Sequence, residues 1–479
     1  MKEQIYNPYL PLYEYIPDGE PHLFQNRIYI FGSHDKFGDF HFCRNNYVTW
    51  SCKADDLSCW RYEGVIYHKN QDSNNLKGKK DLYAPDVVRG NDGKYYLYYS
   101  MNFTGKIGVA VSKNPQGPYK YLGNVSYPNK KEIGSKIKDH FYFDPAVIND
   151  DGKIYLLAGF GPSHWFPQIR LGLKPDGLYL MELNTDMLTI KNAPIKVLEK
   201  KGKTEASFNG HEFFEAASIR KINGLYYLIY SSIQGHELCY AVSSNIEGKY
   251  QYGGVIISNG NVGYMGRKRK NATYPLGNNH GSIIKSGEQY YIFYHRHTNY
   301  TNTDRQGMAE RINIESDGSI KQVEMTSSGI NPFPLIGKGI YPSSICCYLR
   351  PKHGNVFYPF FKTFWQKRTK TYITQYGKDS DTEETQYIRN IRNGALIGYK
   401  WFNLEKTEVI NLIANGKGKG IVYLRESENG INLFSSKFQM DTPKKQKIEI
   451  IVSDLKSKTA FYLFFEMKGK INLFELELE

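Results

Sequence analysis

The sequence predicts an all-β protein, a five-bladed β-propeller followed by a β-sandwich. A strand pattern centred on tyrosine recurs five times in the first two thirds of the chain. A polar residue precedes each recurrence at a nearly constant distance. A further series of short alternating strands begins near residue 340. The 479 residues suit two domains, which we expect at 1–335 for the propeller and 336–479 for a linker and the sandwich.

The repeated strand combines aromatic and branched apolar residues around one tyrosine. Its five copies are NRIYIFGS (26–33), GKYYLYYS (93–100), GKIYLLAG (152–159), GLYYLIYS (224–231) and EQYYIFYH (288–295). The aligned tyrosines are separated by 67, 59, 72 and 64 residues, which suits one four-stranded blade for each copy. The turn signals NDG, DDG and ING lie at the start of three copies and predict hairpins.

A second strand precedes each copy and begins with a polar residue. These residues are Asp18, Asp86, Asp144, Glu215 and His280, at 11, 10, 11, 12 and 11 residues before the aligned tyrosine. The innermost strands of a propeller would bring the five positions close to one axis. Asp also favours turns and strand starts for local reasons, and this alternative stays open above all for Asp86.

Converging carboxylates repel one another, so their pKa values move apart and one acid and one base can coexist. Glycoside hydrolysis needs this pair, since one carboxylic acid protonates the leaving oxygen while one carboxylate activates water or attacks the sugar. The abundant aromatic residues, 40 Tyr and 26 Phe, also suit a site where flat rings stack on sugars. The ring of acids therefore favours a glycosidase.

Six segments, in this order, resemble glycoside hydrolase family 43 over residues 7–330. They are YIPDGEPHLF, LYAPDVVRGNDGKYYLYY, FDPAVINDDGKIYLL, FEAASIRKINGLYYLIYS, NNHGSIIKSGEQYYIFYHRHT and DRQGMAERI. The resemblance implies a five-bladed propeller that hydrolyses glycosides with inversion. It implies that Asp18 is the general base, that Asp144 orients the acid and raises its pKa, and that Glu215 is the general acid.

The same resemblance implies substrate-binding residues. His280 would lie at the bottom of the pocket on the axis, and Arg305 would contact the sugar. Tyr83 would stack on the substrate and Phe143 would line the pocket. Asp86 falls in a family motif but is less often given a catalytic role.

Other candidates come from the residues themselves. Glu20 lies two residues from Asp18 and so on the same face of a strand, which makes it a second candidate for the base, although motif position favours Asp18. Residues 31–60 complete the first blade, and His34, Asp35 and Trp50 are candidates for the pocket rim. For Trp50, a position in the core under its strand is the alternative.

No cofactor is expected. Some relatives carry Ca²⁺ on the axis near the residue that matches His280, so a structural Ca²⁺ there is a candidate. A single histidine is a poor Ca²⁺ ligand, because hard cations prefer oxygen. We therefore predict no metal ligand.

The bulk composition excludes several other classes. The net charge of +14 comes from scattered Lys and Arg without a nucleic-acid-binding motif, so we expect no nucleic-acid partner. No apolar run of about 18 residues predicts a membrane span. The N-terminus has no apolar stretch typical of a signal peptide, and the six cysteines show no metal spacing; both indicate the cytoplasm. Oligomeric state stays open.

The C-terminal part contains seven or more short strands and predicts a β-sandwich. Its segments QYIRNIRNGALIGYKWFNL and LFFEMKGKINLFELELE resemble family 6 carbohydrate-binding modules. It either binds sugar or packs on the propeller as a structural lid.

The predicted function is an exo-acting, inverting glycosidase that removes terminal pentofuranosyl or xylosyl units from plant-type oligosaccharides, as an α-L-arabinofuranosidase, a β-xylosidase or both. A β-galactofuranosidase of the same fold is one alternative. The other is a non-catalytic sugar-binding propeller, which would not need all three acids.

Overall fold

Five antiparallel sheets follow one another along the chain of this computed structural model, each starting with its innermost strand. The structure describes residues 5–102, 104–161, 172–200, 205–358, 364–379, 381–383 and 385–479.

Blade 1 contains β1 (Glu20–Phe24), β2 (Arg27–Phe31), β3 (Tyr47–Lys53) and β4 (Asp56–Tyr67). Blade 2 contains β5 (Leu82–Arg89), β6 (Tyr95–Met101), β7 (Ile107–Ser112) and β8 (Lys120–Asn124). Blade 3 contains β9 (Ala146–Asp150), β10 (Lys153–Phe160), β11 (Gly177–Leu183) and β12 (Ile195–Glu199). Blade 4 contains β13 (Phe213–Ile222), β14 (Leu225–Ser232), β15 (Glu237–Ser243) and β16 (Gln251–Ser258). Blade 5 contains β17 (Ile283–Ser286), β18 (Gln289–His297) and β19 (Arg305–Ile312).

The second strand of each blade is the tyrosine-centred repeat, and both of its faces are buried. In β6, all seven residues of YYLYYSM are buried. Both faces are covered because each blade packs between two neighbours, so apolar side chains are needed on either side of the pleat. The repeat seen in the sequence is therefore the core strand of every blade.

Polar contacts between neighbouring blades close the ring. Gly19, before β1, bridges Gly281, before β17, so the first blade meets the fifth. On the outer side of blade 5, the side-chain amide of Asn7 binds both the N–H and the C=O of Ala309 in β19, each at 3.0 Å. The N-terminal segment is thereby fastened beside the last described strand of that blade.

The C-terminal part is a β-sheet module with three long strands. Its strands are β20 (Leu335–Ile336), β21 (Gly339–Pro342), β22 (Tyr348–Arg350), β23 (Tyr372–Gln375), β24 (Gln386–Ile391), β25 (Leu396–Asn403), β26 (Val409–Arg425), β27 (Phe434–Ile451) and β28 (Thr459–Leu478). The described α-helix is α1 (Phe364–Thr369). The longest strand, β28, pairs with β21, β24, β25 and β26, so the module wraps around it as a sandwich.

One continuous hydrophobic core joins the module to the propeller. It contains Ile229 and Met308 from blades 4 and 5 together with Ile397 and Phe461 from the module. The expected domain boundary after residue 335 falls inside β20, whose Leu335 pairs with Phe402 of β25. The C-terminal part is therefore packed on the propeller as an integral layer.

All six cysteines lie in the described part of the chain, and all have free thiols. Among the described helices, none has the length and apolar character needed to cross a membrane.

Candidate active site

A cavity of about 590 Å³ opens where the innermost strands of the blades begin. Its lining includes four of the predicted polar residues, namely Asp18, Asp144, Glu215 and His280, and also Arg305. The rest of the wall includes seven aromatic residues, Phe42, Tyr83, Phe141, Phe143, Phe160, Phe214 and Phe357, together with polar residues such as Asn102, Gln234, Arg269 and Asn302. A concave, mostly apolar cavity with a few convergent charged groups is the usual form of a small-molecule site.

Strand register explains why three of these polar residues converge. Asp18, Asp144 and His280 each stand four residues before the residue that pairs with the aligned tyrosine of their blade. The backbone of Asp18 has φ of 58° and that of Asp144 has φ of 47°, both in the left-handed region. Such backbone conformations are uncommon for residues with a Cβ and concentrate at functional sites.

Glu215 reaches the cavity through an irregular stretch of β13. The pairing of β13 with β14 shifts register on both sides of Glu215, and Ala216 has φ of 66°. Such a bulge re-aims side chains beside it. The Ala216 N–H donates to Asp144 Oδ2 at 3.1 Å. This bond fixes β13 of blade 4, which carries Glu215, to the Asp144 side chain of blade 3.

Asp86 does not line the cavity, and the turn of its blade explains why. The turn between β5 and β6 has three residues, 91–93, whereas the other blades have two. Asp86 therefore stands only two residues before the residue that pairs with the tyrosine of its blade. This is the register position of Glu20, two positions beyond that of Asp18. Asp86 lies 2.5 Å from His22 Nε2 and accepts from the Val147 N–H at 2.7 Å. Its ties to blades 1 and 3 indicate a structural role.

Glu20 belongs to this second ring as well. Its Oε2 accepts from Arg220 Nη2 at 2.7 Å and from Ser218 Oγ at 3.0 Å, and Glu20 does not line the cavity. Burial alone would raise its pKa, but Arg220 and His280 outweigh burial and lower it. The structure therefore places Asp18, and not Glu20, in the cavity.

The pKa values of two cavity acids are raised. Burial raises the pKa of Glu215 to about 8, with an added contribution from the Asp144 carboxylate and partial opposition from His280. Burial likewise raises the pKa of Asp144 to about 7, against the opposing charge of His280. Glu215 thus holds a proton at neutral pH, as a general acid must.

His280 balances this negative charge from the axis. Burial would lower its pKa, but Glu20, Asp144 and Asp18 raise it to about 9. Its Nδ1 lies 3.8 Å from Asp144 Oδ2 and its Nε2 lies 3.7 Å from Glu20 Oε1. A protonated imidazole has no free lone pair, so in this state the His280 ring itself is not a Ca²⁺ ligand.

Asp18 is held from two sides. Arg305 Nη1 donates to Asp18 Oδ1 at 2.9 Å, and the Asp18 backbone N–H donates to His295 Nδ1 at 3.3 Å. Arg305 also donates to Asp35 through Nε and Nη2, at 2.8 and 2.9 Å. Asp35 was expected at the pocket rim, yet it is fully buried behind Arg305. His34 binds the Asn46 carbonyl and is not among the cavity residues.

Of the three aromatic residues predicted to bind substrate, two line the cavity and one does not. Tyr83 and Phe143 both line the cavity, with ring centroids 5.6 Å apart. Trp50 does not: it is buried in a core cluster, and its Nε1 donates to Glu14 Oε2 at 2.7 Å. The expectation that Trp50 binds substrate is therefore wrong and its core alternative is correct, because the side chain faces the neighbouring blade.

Sequence reasoning missed several residues of the wall. Phe141 and Phe214 each lie within three residues of a predicted acid, and this proximity in sequence could have identified them as residues of the cavity wall. Asn302 follows β18, and Phe357 belongs to the C-terminal part. Nothing local to residue 357 marks it as a site residue, since its position depends on packing across the domain boundary.

These features define the class of the protein. A buried acid that keeps its proton, a second carboxylate held by arginine and an aromatic cavity at the end of a five-bladed propeller form an acid–base site for glycosidic bonds. The family model of glycosyl hydrolases family 43 matches residues 22–320. The chain belongs to this family and is a glycoside hydrolase.

Individual relatives agree with this assignment. A xylosidase/arabinosidase of Thermoclostridium stercorarium is 44% identical over 433 residues, which cover 90% of this chain and 89% of that protein. The crystal structure of a family 43 arabinoxylan arabinofuranohydrolase from Bacillus subtilis covers 98% of this chain and 97% of its own, at 19% identity and a TM-score of 0.50. A β-xylosidase structure covers 69% of this chain and 100% of its own, at 25% identity and a TM-score of 0.52. The similarity to the arabinofuranohydrolase shows a shared fold that includes the C-terminal part.

Proposed function

We propose that the protein is an inverting, exo-acting glycosidase that releases terminal α-L-arabinofuranosyl units, β-xylosyl units or both from short oligosaccharides. The observation that carries the proposal is the raised pKa of Glu215, about 8, in a cavity that also holds the arginine-bound Asp18. The substrate class follows the similarity to the xylosidase/arabinosidase of Thermoclostridium stercorarium.

In the proposed reaction the terminal sugar occupies the cavity between Glu215 and Asp18. Glu215 donates its proton to the glycosidic oxygen as the bond from that oxygen to the anomeric carbon breaks. Asp18 accepts a proton from a water molecule whose oxygen attacks the anomeric carbon from the opposite face. The released sugar therefore has inverted configuration.

Asp144 and His280 support this step without reacting. Asp144 repels the ionised form of Glu215 and so keeps the acid protonated. The positive charge of His280 limits the rise in the pKa of Asp144 itself. An exo mode suits the cavity, because a concave pocket of about 590 Å³ admits a chain end more readily than the middle of a polymer.

The proposal is tested with a panel of nitrophenyl glycosides, namely the α-L-arabinofuranoside, β-xyloside and β-galactofuranoside. Activity on either of the first two, with the inverted anomer as the first product in ¹H NMR, is the expected result. Activity on the galactofuranoside alone would replace the sugar assignment with the alternative. A folded protein without activity on any glycoside would favour the sugar-binding propeller.

A further inference from the structure

A short segment of the C-terminal part is built into the cavity wall. The Leu276 N–H donates to the Val356 carbonyl at 3.2 Å, and the Tyr358 N–H donates to the Leu276 carbonyl at 2.8 Å. These bonds pair Phe357 with Leu276 in a parallel bridge. Asn355 adds a side-chain bond to the Ala272 carbonyl at 3.0 Å. The backbone around Phe357 is therefore fixed to the segment that precedes blade 5.

The side chain of Phe357 lies next to blade 4, which carries the proposed general acid Glu215. Its ring centroid lies 6.0 Å from that of His236, and the Arg269 guanidinium carbon lies 4.4 Å from it. His236 ends the turn between β14 and β15, and three residues of this turn, 233–235, line the cavity. In β14, Ser231 pairs with Glu215. Phe357 is thus on the side where the leaving group must receive its proton.

Asn302 supplies a second, independent sign of a ligand. Its Nδ2 donates to the Tyr358 carbonyl at 2.6 Å, which holds the same segment. Its Oδ1 has no hydrogen-bond partner among the described residues, although the side chain is 97% buried and lines the cavity. An unpaired buried acceptor is costly unless a ligand or water satisfies it.

We propose that Phe357, Arg269 and Asn302 form the subsite for the sugar that leaves, a pyranose unit next to the bond that is cleaved. The flat Phe357 ring covers the C–H face of this unit. The Arg269 guanidinium donates to its hydroxyl groups and Asn302 Oδ1 accepts from one of them. The inference rests on the proposed function. It makes the C-terminal part a determinant of leaving-group specificity rather than a separate sugar-binding module.

The test compares two substrates with the glycosyl group that the nitrophenyl panel identifies. One is the disaccharide in which this group is linked to xylose, and the other is its glycosyl fluoride, which has no leaving sugar. In Phe357→Leu, the ratio of kcat/KM for the disaccharide to that for the fluoride should fall about tenfold, since the flat ring is lost. Arg269→Met should lower the same ratio. Phe333→Ala removes an exposed phenylalanine outside the cavity and should leave the ratio unchanged.

A second measurement separates binding from folding. In the Glu215→Gln background, adding Phe357→Leu should weaken binding of the disaccharide about tenfold and change little the binding of the free terminal sugar. An unchanged ratio together with unchanged disaccharide binding would overturn the inference and leave the proposed function intact. Wild-type protein inactive on every glycoside would overturn both.

Discussion

Arg305 holds two carboxylates at once, with Nη1 on Asp18 at 2.9 Å and with Nε and Nη2 on Asp35 at 2.8 and 2.9 Å. Its planar guanidinium can bind Asp35 in a bidentate manner while one nitrogen remains for Asp18. All three side chains are almost completely buried. Asp35 therefore positions the arginine that positions the proposed base.

Replacing Asp35 should disturb catalysis although Asp35 does not line the cavity. Asp35→Asn removes one of the two negative charges that compensate the buried Arg305, and breaking such a pair costs about 3–5 kcal/mol. We expect a lower midpoint of chemical denaturation and a lower kcat, with a smaller change in KM because the cavity wall is kept. A normal kcat in a folded variant would contradict the positioning role.

The pH profile should report the proton on Glu215. The acid works only when protonated, and its pKa of about 8 means that kcat/KM should fall as pH rises through about 8. Asp144→Asn removes a negative neighbour that helps to raise this pKa. The descending limb should therefore move to lower pH in the variant. A limb that stays in place would show that Asp144 does not act on the acid.

Asp86 should matter for stability rather than for the reaction. Asp86→Ala leaves the Val147 N–H and the His22 ring without their buried partner, at about 1–3 kcal/mol for each group. We expect the free energy of unfolding to fall by roughly 2–6 kcal/mol in urea titrations, with kcat/KM close to wild type. Asp92→Ala changes an exposed aspartate of the same blade and serves as the control. A large loss of kcat with normal stability would restore Asp86 as a catalytic candidate.

The C-terminal part should be indispensable for folding. A chain that ends at residue 334 exposes Ile229, Met308 and their neighbours in the shared core. Apolar surface of this extent promotes aggregation. We expect insoluble protein, or soluble protein without a cooperative thermal transition. A soluble, cooperatively unfolding and fully active propeller would show that the shared core is dispensable.

The repeat pattern was sufficient to predict the propeller, because the tyrosine-centred strands are buried on both faces and so leave a clear signal. Counting from the same tyrosines placed Asp18, Asp144 and His280 correctly. It misplaced Asp86, because the turn of blade 2 is longer by one residue. The sequence does not reveal this extra residue, so only the observed strand pairing shows that Asp86 is two register positions away from Asp18. Phe357 was beyond this reasoning because its surroundings come from segments distant in sequence. For the same reason the sequence left both the pocket rim and the core open for Trp50.

The central claim, that Glu215 is the acid of a glycosidase, is tested most directly by the kcat/KM of Glu215→Gln on a natural disaccharide substrate. Glutamine keeps the shape of the side chain but cannot donate the proton. We expect a loss of about 10²–10⁴-fold relative to wild type, and a smaller loss on a nitrophenyl glycoside whose leaving group needs less protonation. Disaccharide hydrolysis at the wild-type rate by the folded variant would contradict the account.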